Sequence, residues 1–304
     1  MTTEALARPS APFWSRAMAG QAGPVITVVL AILVVWYLAC IPMNINSVER
    51  TVEGASSLGF VDRFIASVSQ PQPALAAPHQ IIAEIGRTVL FESPLSRRSL
   101  LYHCLITLAS TLSGFIFGTL LGIGLAILFV HMRSLRTSLL PWIIVSQTIP
   151  ILAIAPMVVV VLGRLDLPII VPKALIAAYL CFFPVAVSMV KGLSSPDPMQ
   201  LDLMRTYNAS TAQTLWKLRW PASTPYLFAS LKVAVAASLV GAIVAEMPTG
   251  AQGGLGSRLL TGFQFSQDMQ VWAALFAGAI LASGLIALMA AIERAALRAM
   301  GARP

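Results

Sequence analysis

Leu101 to Val130 is a run of thirty residues without a single Asp, Glu, Lys or Arg. As a helix it would be about 45 Å long, and a hydrocarbon core of about 30 Å needs only about 20 helical residues. A helix that is apolar on every side has no face to turn to water. Five further runs can cross in the same way: Val25–Ile41, Thr137–Gly163, Leu167–Val190, Tyr226–Glu246 and Met269–Ile292. Lipid offers no hydrogen bonds, so a crossing segment must satisfy its own backbone, as a helix does. The expected fold class is therefore all-α, a polytopic membrane bundle of about six transmembrane helices. Composition agrees: 11% of the 304 residues are charged, against about a quarter in soluble domains.

Residues 1–23 form a polar start with Arg8 and Arg16. Residues 24–100 hold the first span, ended by Pro42, and an extramembrane segment in which Ser67–Pro78 (SVSQPQPALAAP) reads as a loose linker. A cleaved signal peptide competes for Val25–Ile41, but the run is long and no convincing Ala-x-Ala site follows, so a retained span is preferred. Ile81, Ile82, Ile85 and Val89 recur at helical spacing and predict an amphipathic surface helix. Residues 101–292 are the core, with the polar interval 191–225 inside it, and 293–304 form a tail. Gly114, Gly118 and Gly122 fall every fourth residue. Close helix packing is the favoured reading of that small face, and a ligand groove is the other.

The formal net charge of +8 is scattered between apolar runs, so nucleic acid is not an expected partner; the lipid membrane is. With the N-terminus inside, eleven of the twenty Lys and Arg lie on the inner side with four acids. Seven lie outside with eight acids, and Lys173 and Lys232 fall within spans. That bias in the short loops places both termini in the cytoplasm. Cys40, Cys104 and Cys181 all sit in apolar runs, which argues against a disulfide framework. His79, His103 and His131 are dispersed, and neither HExxH nor CxxC occurs, so no metal site and no catalytic residue are expected. A Gly-x4-Gly-Lys-Ser/Thr phosphate loop is also absent from the sequence, which leaves the chain no usual means of holding ATP.

The interval Lys191–Pro225 is punctuated as two short helices and a bend. Asp197 is a good N-cap with Pro198 in the first turn. Asn208 tolerates the left-handed conformation that ends many helices. Ser210 and Gln213 have capping-box spacing and start a second helix. Trp220-Pro221 is expected to close it, and Thr224-Pro225 to cap the next span. So much order between two spans points to a docking surface.

This interval resembles the cytoplasmic EAA loop of permease subunits in type I ABC importers. Asp202-Leu203-Met204 stands at Glu-Ala-Ala, followed by Arg205, with Asn208 at the Gly, Ala209 next to it, and Leu218-Arg219-Trp220-Pro221 at Ile-x-Leu-Pro. The acid and Pro221 are kept; the small residues and the glycine are altered. Ser146–Gly163, Ala245-Glu246 and Gly253–Gly256 (GGLG) are similar to segments of the nitrate/sulfonate/taurine branch. The resemblance implies a bacterial inner-membrane permease paired with a second permease, identical or not. It further implies two cytoplasmic ATPases that bind ATP and Mg, and an external solute-binding protein. This chain would then carry no cofactor of its own. An ion-coupled secondary transporter is the alternative, and it would require acidic or polar groups deep in the spans.

Candidate pathway residues are Gln147, Pro150 and Pro156 in the proline-broken span, Lys232, and Glu246 at the end of the fifth span. Prolines free backbone carbonyls that must find partners, although packing kinks are an equal reading. Lys173 and Lys232 each lie six residues into a span, where snorkelling to the headgroups is favoured over solute binding. The Gly253–Gly256 segment reads as a loose outer connector, whereas the resemblance implies contact with the binding protein or with the pathway's outer end.

Overall fold

The computed structural model describes residues 22–51, 59–248 and 253–300. Nearly all of the N-terminal segment 1–23, Thr249 and Gly250 of the expected outer loop, and the last four residues of the tail lie outside these. The chain divides into two compact units, 1–83 and 84–304.

In the first unit, α1 (Ala22–Thr51) runs through Pro42, which therefore does not end it. It packs against α2 (Phe60–Val68), with Asn44 and Val48 buried near its end. The fully buried Asn44 amide donates to the carbonyls of Ser67 and Leu75, at 2.9 and 3.0 Å, and accepts the Leu75 N–H at 2.9 Å. Trp36 Nε1 donates to the Ala76 carbonyl at 3.1 Å. The Ser67–Pro78 stretch is thus pinned rather than loose, with Leu75, Ala76 and Ala77 buried. An extended backbone can be buried only where side chains satisfy its polar groups, and here α1 supplies them.

α3 (Pro78–Gly86) ends in a π turn over Arg87–Phe91. The second unit is built on α4 (Leu100–His131), α7 (Ile170–Leu193) and α9 (Thr211–Glu246). α7 packs along both of the others, and its buried Val185, Met189 and Leu193 meet Phe129 of α4 and Val235 of α9 in the largest core. α11 (Asp268–Ala299) adds Leu285 and Met289, and the short α10 (Leu255–Gln264) packs on it. Gly114, Gly118 and Gly122 all face α7, so the small face is used for packing. A Cβ at Gly118 would come within 2.8 Å of the Ala178 carbonyl.

The third span is broken. α5 (Arg133–Ser146) and α6 (Ile151–Gly163) meet at 97°. Pro150 has no N–H for the Ser146 carbonyl, and the Tyr179 hydroxyl of α7 donates to that carbonyl in its place. Pro141 and Pro156 lie inside their helices. Helices of 14 and 13 residues at right angles reach roughly 29 Å from end to end, enough for one crossing. Among the described residues, five single helices are long and apolar enough to span, and this pair makes a sixth if it crosses as one.

The second helix of the 191–225 interval does not close at Trp220-Pro221. It continues as α9 from Thr211 to Glu246, through a π turn at Leu215–Arg219 and past Pro225. The wider turn just before Pro221 is where a missing N–H is most easily absorbed.

Gly118→Ala should destabilise the purified protein by about 1–3 kcal/mol, because the obstacle is backbone. Gly124→Ala, with nothing within 4 Å, should be neutral. Melting in detergent distinguishes them, and equal shifts would contradict the α4–α7 contact.

Candidate functional site

Two polar constructions stand at opposite ends of α4. The first is the helix–turn–helix after α7. Asp197 caps α8 (Pro198–Thr206) by accepting the Met199 N–H at 3.0 Å, and Gln200 returns a bond to the Asp197 N–H. Asn208 has φ of 51°, the left-handed conformation expected of it. Its N–H reaches the Arg205 carbonyl at 2.8 Å and the Ala209 N–H reaches Met204 at 2.9 Å. Together these form the paired bonds of a Schellman motif. Ser210 and Gln213 then form the expected capping box at the start of α9.

This element is rigid yet exposed. Met199 and Leu203 on α8 and Tyr207 at its C-cap stand at i, i+4 and i+8, each more than half exposed. Asp202 and Arg205 pair at 2.9 Å on the surface, where such a pair contributes little to stability. Arg219 donates to the Leu193 carbonyl at 2.7 Å and so ties the root of α9 to the end of α7. Three large side chains thus stand exposed along a doubly capped helix.

The second construction holds the Gly253–Leu255 segment to three helices. Glu246, the last residue of α9, is fully buried. Its Oε2 accepts from Thr107 of α4 at 2.8 Å and from the Gly256 N–H at 3.1 Å. Thr107 in turn accepts the Leu255 N–H at 2.8 Å. The carboxylate thus serves, directly and through Thr107, the first amides of α10, where the helix dipole favours a negative charge. Lys173 of α7, 1% exposed, donates to the Gly253 carbonyl at 3.1 Å. His103 of α4 stands 2.9 Å from the Arg97 carbonyl by Nε2 and accepts the Gly254 N–H at Nδ1, 3.0 Å away. A neutral ring protonated at Nε2 satisfies both. Gly254, at φ 116°, passes so close to the Glu246 carboxylate that no side chain would fit.

These positions revise several sequence expectations. Lys173 does not snorkel; it is buried and bonded to the loop. Lys232 forms an ion pair with Glu293 of α11 and lies about 21 Å along α9 from Glu246. Gln147 and Pro150 sit together at the break of the third span, but Pro156 is exposed farther along α6. The five candidate pathway residues therefore do not converge on one site. His103 and Thr107 were missed, because a lone His and a Thr in an uncharged run carry no signal until a loop 146 or more residues away is folded onto them. The Gly253–Gly256 segment is not a loose connector.

A family model described as "Binding-protein-dependent transport system inner membrane component" matches residues 118–301, more than half of the chain. The chain belongs to this family. It is similar to a probable ABC transporter permease protein of Haemophilus influenzae, 32% identical over 187 residues that cover 58% of this chain and 74% of the relative. The formylaminopyrimidine transport permease protein ThiX of Halalkalibacterium halodurans is 31% identical over 191 residues, 59% and 74% of the two chains. The putative aliphatic sulfonates transport permease protein SsuC of Bacillus subtilis is 26% identical over 196 residues, 64% and 69%.

In the permease, the matched region contains all of the helix–turn–helix, Lys173, Glu246 and the glycine segment. His103 and Thr107 lie before it, so the second construction joins the family core to the start of α4.

Two outcomes are expected. Thr107→Val strips the Leu255 N–H of its acceptor, a loss of about 1–3 kcal/mol for a buried group. Amide exchange across 254–264 should accelerate, while Thr107→Ser should keep it slow. Asn208→Gly should be nearly silent, and Asn208→Val should cost about 1–3 kcal/mol in backbone strain. Retention of the ATPase subunit on purification ranks the two, and a greater loss with Gly than with Val would refute the left-handed turn.

Proposed function

We propose that the chain is the membrane path of an ATP-driven importer, working by alternating access with a second permease, identical or related. Two cytoplasmic ATPases, which bind the ATP and Mg, dock on the 191–225 interval, and an external binding protein delivers the solute. Both termini and the helix–turn–helix face the cytoplasm, and the Gly253–Gly256 end faces outward. The observation that carries this reading is the exposed Met199–Leu203–Tyr207 stripe, held on a helix fixed at both ends in an otherwise lipid-adapted chain. ATPase closure would move that helix as a body. Arg219 and the continuous α9 would carry the motion into the bundle, biasing one of two helical arrangements over the other.

The solute is a small molecule, with a nitrate-, sulfonate- or taurine-like anion preferred. The similarity to SsuC supports that class, while ThiX is named for a pyrimidine, which fits a path whose selectivity rests largely with the binding protein. An ion-coupled transporter is less well supported. Its coupling would need an acidic group free to load an ion, and Glu246 is occupied with the first turn of α10.

Reconstituted alone in proteoliposomes under an imposed ion gradient, the chain should take up no taurine or nitrate. Adding the ATPase, binding protein and ATP should give uptake. Robust uptake by the chain alone would overturn the importer reading.

A further inference from the structure

Beside the Gly253 segment lies a half-open cavity of about 710 Å³. Arg87, Arg97, Arg98 and Arg258 line it, and Glu92 is the one carboxylate among its lining residues. Arg87 is bound by both its Nε and Nη2 to Glu84, at 3.0 Å each. Arg258 donates through Nη1 to the Arg98 carbonyl at 2.9 Å, and its buried Nε meets no acceptor among the described residues. Burial is the main influence on Arg258 and lowers its pKa from the ordinary guanidinium value, with Glu84 and Glu92 opposing. Such a concentration of guanidinium groups calls for an anion.

The surroundings indicate which anion. On the elements that form the cavity walls, Phe91 and Leu95 are 85% and 89% exposed, and Phe263 and Phe265 are 75% and 69% exposed. Apolar side chains beside arginines suit a ligand with a charged head and a hydrocarbon tail. Depth agrees. α4 and α11 each have 32 residues, about 48 Å, or about 45 Å at an average tilt. That length matches the bilayer with both headgroup layers, about 40–45 Å. Tyr102 and Gln270, in the first turns of these two helices, both line the cavity. Two helices thus place it independently at headgroup level.

We infer that this cavity holds the phosphate headgroup of an anionic phospholipid, with its acyl chains against the exposed Phe and Leu side chains. The site adjoins the loop construction: His103 accepts the Gly254 N–H and also lines the cavity. A bound headgroup would therefore brace α10 and its attachment to the spans.

The test uses delipidated, purified permease and dioleoylphosphatidylglycerol, with dioleoylphosphatidylcholine, inorganic phosphate and glycerol 3-phosphate as comparison probes, read by native mass spectrometry and melting temperature. Phosphatidylglycerol should bind more tightly than phosphatidylcholine and raise the melting temperature. Arg98→Gln should weaken phosphatidylglycerol about fivefold and Arg97→Gln/Arg98→Gln about 25-fold, at roughly fivefold per arginine. Arg98→Gln retains the backbone carbonyl used by Arg258, so its melting in phosphatidylcholine should be unchanged. Arg205→Gln, at the other end of the bundle, should have no effect on lipid affinity. Equal binding of both lipids, or phosphatidylglycerol affinity unmoved by either arginine variant, would overturn the inference. So would displacement by inorganic phosphate as effective as that by the lipid, which would mark a small-anion site. Loss of binding-protein docking with lipid affinity intact would mark a protein contact and overturn it as well.

Discussion

A polar group inside a bilayer must find its partner within the protein, and the second unit is arranged around that constraint. Where Pro150 removes a donor, the span breaks and a tyrosine from the neighbouring helix joins the Ile149 N–H in serving the Ser146 carbonyl. Where α9 ends in a carboxylate at 0% exposure, the start of α10 is folded back to supply N–H groups. Burial of Lys173 and Glu246 would cost several kcal/mol per ion if they were left unpaired. The loop bonds around them are therefore a condition of the fold, and they make Gly253–Leu255 one of the most firmly held parts of the chain.

That arrangement has a mechanical consequence. α4, α7 and α9 are joined at one end by a single short segment, and near the other end α7 and α9 are joined by the Arg219–Leu193 bond. The helices between are packed through small residues, Gly118 against the Ala178 carbonyl being the closest kind of contact. Continuous helix, and not a slack connector, therefore runs from the helix–turn–helix to Glu246 at the glycine segment. The broken α5–α6 pair is different: its buried surface is small, with no buried residue in α5. The pair is left largely uncovered by the rest of the second unit.

The sequence by itself determined the all-α membrane class, because thirty uncharged residues admit little else. It also determined the local form of the helix–turn–helix. Asp197, Pro198, Asn208, Ser210 and Gln213 act through bonds to residues within five positions, so their meaning survives without tertiary context. Local rules failed where partners lay elsewhere in the chain. Pro42 and Pro221 were expected to end helices and Thr224-Pro225 to start one, yet packing and a π turn carried the helices through all three. Asn44 gave no warning that it would pin residues 67–77. Lys173 and Glu246 were visible as costly charges, but their spacing of 73 positions says nothing of a shared loop. Tertiary structure alone decided which backbone groups those charges would serve, because the bonds that compensate a buried charge come from whichever segment folds against it.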